Sequence, residues 1–201
     1  KVFNMKRLLL IIILTFSFQS WTKADDIRDF QIEGMSVGDN LLDHVSKDSI
    51  GSELTSKFSF WYDQNQFVAI SLWKKKETFN TYTSVGVVIK PDDYKNYQIF
   101  SLYGKLWFEN KEINECYKKQ NEIYSNIKNS FSNLILDAKD WIVPENRVAS
   151  HLISIKYRDL FLKDGKIRVV CYEKKNNMDL LQVVINQSEF VDFLIDSAKN
   201  N

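Results

Sequence analysis

The chain predicts an α+β fold: an antiparallel sheet of about six to seven strands, one long central helix, and short helices at the N-terminal and C-terminal ends. Three observations carry this expectation. Short alternating segments are separated by tight-turn residues. One long segment repeats its apolar residues at three- and four-residue steps. The strand-like segments come in runs rather than alternating with helices, which implies antiparallel pairing. The expected order is α-βββ(β)-α-βββ-α.

Ser36 followed by Asp39 has capping-box character, and Leu41, Leu42 and Val45 then recur at helical spacing, so a short helix is expected over 37–47. Residues 58–62 and 67–73 flank Asp63-Gln-Asn65 and read as a hairpin. Residues 82–90 place Val85, Val87 and Ile89 on one face, and Pro91-Asp-Asp closes the segment with a turn. A third long strand covers 97–108, with Phe100, Leu102, Leu106 and Phe108 expected on one face. Ile113, Cys116, Gln120, Ile123, Ile127, Phe131 and Ile135 then mark a long amphipathic helix over 111–136. Residues 137–150 lack periodicity and contain Pro144, which reads as a linker. Strands near 151–162 and 167–173 follow, joined by Lys163-Asp-Gly-Lys166 as a hairpin turn. A last strand over 179–185 leads to a helix that opens at Ser188.

A length of 201 residues with 44% hydrophobic residues suits one folded domain and excludes a disordered chain. Met5-Lys6-Arg7 followed by the apolar run Leu8–Phe18 matches a secretory signal peptide, with cleavage expected after Ala24. The run is too short for a membrane-spanning helix, which needs about 20 apolar residues, so no stable anchor is expected after cleavage. Residues 1–24 are therefore read as the signal segment, with Met5 as the start, and 25–201 as a single periplasmic or secreted domain. Removing 1–24 takes away Lys1, Lys6, Arg7 and Lys23 and leaves 23 basic against 26 acidic residues, a net charge of about −3. Such a charge argues against nucleic acid as a partner.

Cys116 and Cys171 are the two cysteines. In an oxidising compartment an even pair is most simply a disulfide, and both fall on inward faces, Cys171 beside Ile167 and Val169. Two separately buried thiols are the alternative.

The search for chemistry is sparse. No nucleophile elbow, zinc-peptidase pattern, phosphate loop, dinucleotide fingerprint or calcium loop occurs. No metal site, cofactor or catalytic residue is assigned. The two histidines, His44 and His151, are isolated in sequence. Asp92-Asp93 sits in a turn where Asp is expected for backbone reasons, and Lys74-Lys-Lys76 reads as a solvated hairpin tip. The aromatics stand out: Trp61, Trp73, Trp107 and Trp141 remain after cleavage, with Tyr82, Tyr94, Tyr97 and Tyr103 expected nearest the surface. Within Lys90–Tyr97, Tyr94 and Tyr97 are the candidate binding residues, because tyrosine offers amphipathic contact area at low entropic cost.

The run from Asp29 to Leu42, DFQIEGMSVGDNLL, resembles the opening of small exported proteins of marine alphaproteobacteria whose activity is uncharacterised. In that family one Cys in the long helix and another in a late strand recur, as Cys116 and Cys171 do here. The resemblance implies export and carries no catalytic or binding residue. Gly34-Met35-Ser36 is also similar to the start of small periplasmic assembly-factor domains of the BamE type, although the lipoprotein cysteine of those domains is lacking. The expectation is a non-catalytic periplasmic binding or envelope-associated module, its partner an envelope protein or a small ligand. The alternative is a periplasmic hydrolase assembled from residues distant in sequence around His44 or His151. With the long helix on one face of the sheet, recognition is expected on the opposite face or at the hairpin tips.

Overall fold

In the computed structural model, which describes residues 25–199 apart from 73–78, 92–96, 110–111, 144 and 176–177, the chain is α+β. Eight antiparallel strands form one sheet: β1 (Phe60–Trp61), β2 (Val68–Leu72), β3 (Ser84–Ile89), β4 (Ser101–Glu109), β5 (Ile135–Val143), β6 (Leu152–Leu162), β7 (Gly165–Lys174) and β8 (Met178–Gln187). Three α-helices join them: α1 (Lys47–Leu54), α2 (Ile113–Ser130) and α3 (Ser188–Lys199). The signal segment 1–24, Trp73, Lys74–Lys76, Asp92, Asp93 and Tyr94 lie outside the described residues.

The strand order is β1-β2-β3-β4-β8-β7-β6-β5. Each half is a helix followed by a four-strand meander, and the two meanders join through their last strands, β4 and β8. β8 thus sits at the centre, and Leu181, Val183 and Ile185 on it are fully buried. Removing such a side chain from water contributes about 1.5–3 kcal/mol.

Register decides which residues share a face. One cross-strand row reads Val87, Leu102, Ile185, Ile167, Leu160, Ala138. The next row on that face carries Gly104, Val183 and Val169, and the one after it Leu106, Leu181 and Cys171. The N-terminal segment, α1 through Ile50, and α2 through Cys116, Tyr124 and Ile127 all cover this face, forming one core. The Cys116–Cys171 disulfide fixes α2 there, with α-carbons 6.1 Å apart. Gln120, also fully buried in α2, donates through Nε2 to the carbonyls of Lys156 and Val169 at 2.8 and 2.9 Å. The helix is thereby tied to the backbone of two strands as well as to a sulfur.

Near β5 and β6 the opposite face carries a small cluster of its own, Leu152, Ile155 and Val170 packed by Val143, Val148, Tyr157 and Tyr172, and among the described residues an α-helix covers that face at one corner. There α3 places Phe190 and Phe193 against Phe67, Val88 and Phe100. The Ser188 N–H donates to the Asp164 carbonyl, so the helix starts directly off the β6–β7 turn.

Several expectations change. The sheet has eight strands rather than six or seven. The segment read as a linker, 137–150, holds most of β5, and the long helix ends at Ser130, not near 136. β5 is an edge strand exposed on both faces, so it shows no alternation, and Ile135 continues the helical spacing while belonging to the strand. Over 37–47 the chain forms only a 3-10 turn at Leu41–Asp43, with α1 starting after N-cap Ser46. Asp39 does cap Ser36, accepting its N–H at 2.8 Å, but caps a turn rather than a helix. Phe100 precedes β4 and packs under α3, away from the face of Leu102.

Candidate functional site

The uncovered face is read through three rows. The first is Gly86, Tyr103, Val184, Arg168, Asp159, Lys139. The second is Ser84, Lys105, Gln182, Val170, Tyr157, Trp141. The third is Trp107, Leu180, Tyr172, Ile155, Val143. Lys166 and Phe161 pair beside the first row, and Lys174 reaches back over the third.

The cations of this face lie over rings. Lys174 Nζ is 4.4 Å from the centroid of Trp107, and Lys105 Nζ is 5.1 Å from that of Tyr103. The Arg168 guanidinium is 4.4 Å from the Tyr157 ring, and Lys139 and Lys166 flank Phe161 at 5.2 and 5.7 Å. A ring presents its negative face to a cation, so such pairs hold both partners flat on the sheet. Tyr103 lies across β3, where Gly86 leaves room: an added β-carbon there would meet the ring at 2.2 Å. Trp107 and Trp141 remain 38% and 39% exposed.

In the first row, on β6 next to the edge strand, is Asp159, 0% exposed. Arg168 holds it in a two-pronged pair, both contacts 2.7 Å, and Lys166 stands 3.8 Å away. A buried carboxylate needs such partners, because an unpaired charge out of water is strongly unfavourable. Burial, and then the neighbouring Arg168, push the Lys166 ammonium below its usual pKa, with Asp159 opposing. Burial followed by Lys174 pushes Lys105 down, and burial pushes Lys174 down. Burial raises the Tyr172 hydroxyl to about 12.

The sites expected from sequence fall elsewhere. Cys116 and Cys171 form the disulfide. Tyr97 is 3% exposed, in the main core, and its carbonyl accepts the Leu41 N–H, so its ring is not presented to a partner. Tyr82 also packs against the core, over Gly104. His44 Nε2 is 3.2 Å from Asp39 Oδ2, and among the described residues no hydroxyl joins that pair. His151 is exposed at the start of the β6 segment. Among the described residues no cluster of three metal-ligating side chains occurs, and no helix is long and apolar enough to cross a membrane.

The cation-bearing rows were missed because their members are scattered over β4, β5, β6, β7 and β8. The available signal was local: Trp107 stands between Leu106 and Phe108, and Tyr172 follows Cys171, at strand positions alternating with core-facing residues. Comparison with protein-family models, curated proteins and solved structures finds no match to this chain.

Proposed function

We propose that this chain is an exported, non-catalytic binding module that takes its partner, an envelope protein, on the uncovered face of the sheet. The carrying observation is that face itself: five cations and at least five aromatic rings on neighbouring strand positions, with Trp107 and Trp141 exposed and, among the described residues, no α-helix packed on them. Exposed Trp with Tyr and Arg is the residue mix that anchors protein interfaces. Export is supported by the apolar start of the sequence and by a disulfide, which persists in an oxidising compartment.

A hydrolase centred on His44 is the other reading, favoured by the Asp39 carboxylate at 3.2 Å. Asp39 already serves Ser36 as a turn cap, which accounts for its position without catalysis. The test is capture of partners from envelope extract by the tagged chain. Replacing Trp107 and Trp141 together with Ala should abolish capture while moving the thermal midpoint little, and His44→Ala should leave capture intact. Capture that survives the double replacement would refute the binding face.

A further inference from the structure

We propose that Lys105 and Lys174 form a carboxylate-binding pair on the uncovered face, and that the partner they hold is a protein presenting an exposed Asp or Glu beside apolar surface. The inference rests on the reading of that face as the recognition surface and names what it recognises.

Charge is unevenly neutralised across this face. Arg168 and Lys166 share Asp159, and Lys139 pairs with Asp137 at 3.3 Å. Lys105 and Lys174 have rings beneath them, and among the described residues no carboxylate lies within ion-pair distance of either ammonium. Asp179 accepts the backbone N–H of Lys174 at 3.0 Å, but it belongs to the row of Phe108, on the helix-covered face. Both ammonium groups are partly buried, and burial holds each below the ordinary lysine pKa; repulsion from Lys174 adds to this at Lys105, while Asp179 opposes it at Lys174. An incoming carboxylate removes that repulsion and restores the solvation the sheet has taken away. Gln182 stands beside Lys105 in the second row, and Trp107, between the two lysines, offers exposed apolar area.

The chemistry favours carboxylate over phosphate. Arg168 is the guanidinium of this face, and its fork is occupied by Asp159. What remains are two ammonium point charges beside the exposed apolar area of Trp107, which favours a carboxylate carried on a protein surface over a free phosphate. A mature chain of net charge about −3 that concentrates cations on one face is also built to attract an acidic partner there and repel it elsewhere.

The probe is poly-L-glutamate, titrated into the nitrogen-15-labelled chain, with sodium phosphate at matched ionic strength as the second arm. Amide shifts should saturate over 103–107, 172–174 and 180–184 with polyglutamate. The variant Lys105→Met/Lys174→Met, which keeps the aliphatic stems, should weaken binding about tenfold or more. Lys118→Met/Lys119→Met on α2 should change it less than about twofold. Should the double variant lose its fold, Lys105→Met and Lys174→Met singly carry the same reading, each with about threefold weaker binding. Equal shifts from phosphate, shifts centred elsewhere, no shifts, or unchanged affinity in the lysine variants would each overturn the proposal. A partner captured through Trp107 and Trp141 by a chain that ignores polyglutamate would leave the recognition face standing and remove its acidic chemistry.

Discussion

The two faces of the central strands differ more than their sequences suggest. β8 contributes Leu181, Val183 and Ile185 to the covered face, all fully buried, and Leu180, Gln182 and Val184 to the other. On β4 the covered set is Leu102, Gly104 and Leu106, and the open set is Tyr103, Lys105 and Trp107. Aliphatic side chains interdigitate under the helices, where water is excluded. Rings and long ammonium stems suit a surface in contact with water, because each buries an apolar body and keeps a polar or charged end wet. The contrast teaches that one sheet can be an aliphatic core on one side and a surface of rings and cations on the other, with backbone register alone keeping them apart.

The largest expected effect breaks the covered side. Replacing Cys116 and Cys171 with Ser opens a loop closed across 55 positions and should lower unfolding stability by about 4 kcal/mol on the chain-entropy account. Urea unfolding against the oxidised parent measures it, and the open-face fluorescence of Trp107 should persist in the folded variant.

A second comparison uses neighbouring strand positions. Leu181→Ala on the covered face should cost about 3 kcal/mol, because the cavity cannot collapse under α2. Val184→Ala, half-buried on the open face, should cost less than about 1 kcal/mol. Equal losses would contradict the assignment of faces.

A third sharpens the contrast through pH. Burial raises Tyr62, Tyr82 and Tyr172 to about 12. Their folded pKa values lie above the unfolded value near 10, so the stability they contribute is fully present below pH 10. It is lost as pH climbs from 10 through 12. Absorbance titration should show these three ionising late and together with unfolding. Tyr172→Phe should soften the alkaline transition even though its strand position faces the open side. Ionisation of all tyrosines near pH 10 with the fold intact would contradict the burial.

Much of the fold was legible where the signal was local. The Lys163-Asp-Gly-Lys166 turn, the start of α3 at Ser188 and the inward positions of Cys116 and Cys171 follow from neighbouring residues, and the structure agrees. β5 was not legible, because an edge strand with one neighbour leaves Leu136 at 72% exposure and its charges on both faces. Tyr97 misled for the opposite reason: a polar-looking loop residue with a positive φ of 42° is folded into the core by contacts with the N-terminal segment. The candidate site could not be read along the chain at all. It exists only after β4, β8 and β7 pair, bringing Lys105, Gln182 and Val170 into one row from widely separated positions.

The most direct measurement of the recognition face is site-specific photo-crosslinking in cells that export the chain. A benzophenone side chain replaces Trp107 on the open face in one strain and Lys118 on the exposed side of α2 in another. The account predicts a discrete adduct from position 107, diminished when Trp141 is also replaced by Ala, and none from position 118. An adduct from position 118 with none from 107 would place the partner on the helices and contradict the account.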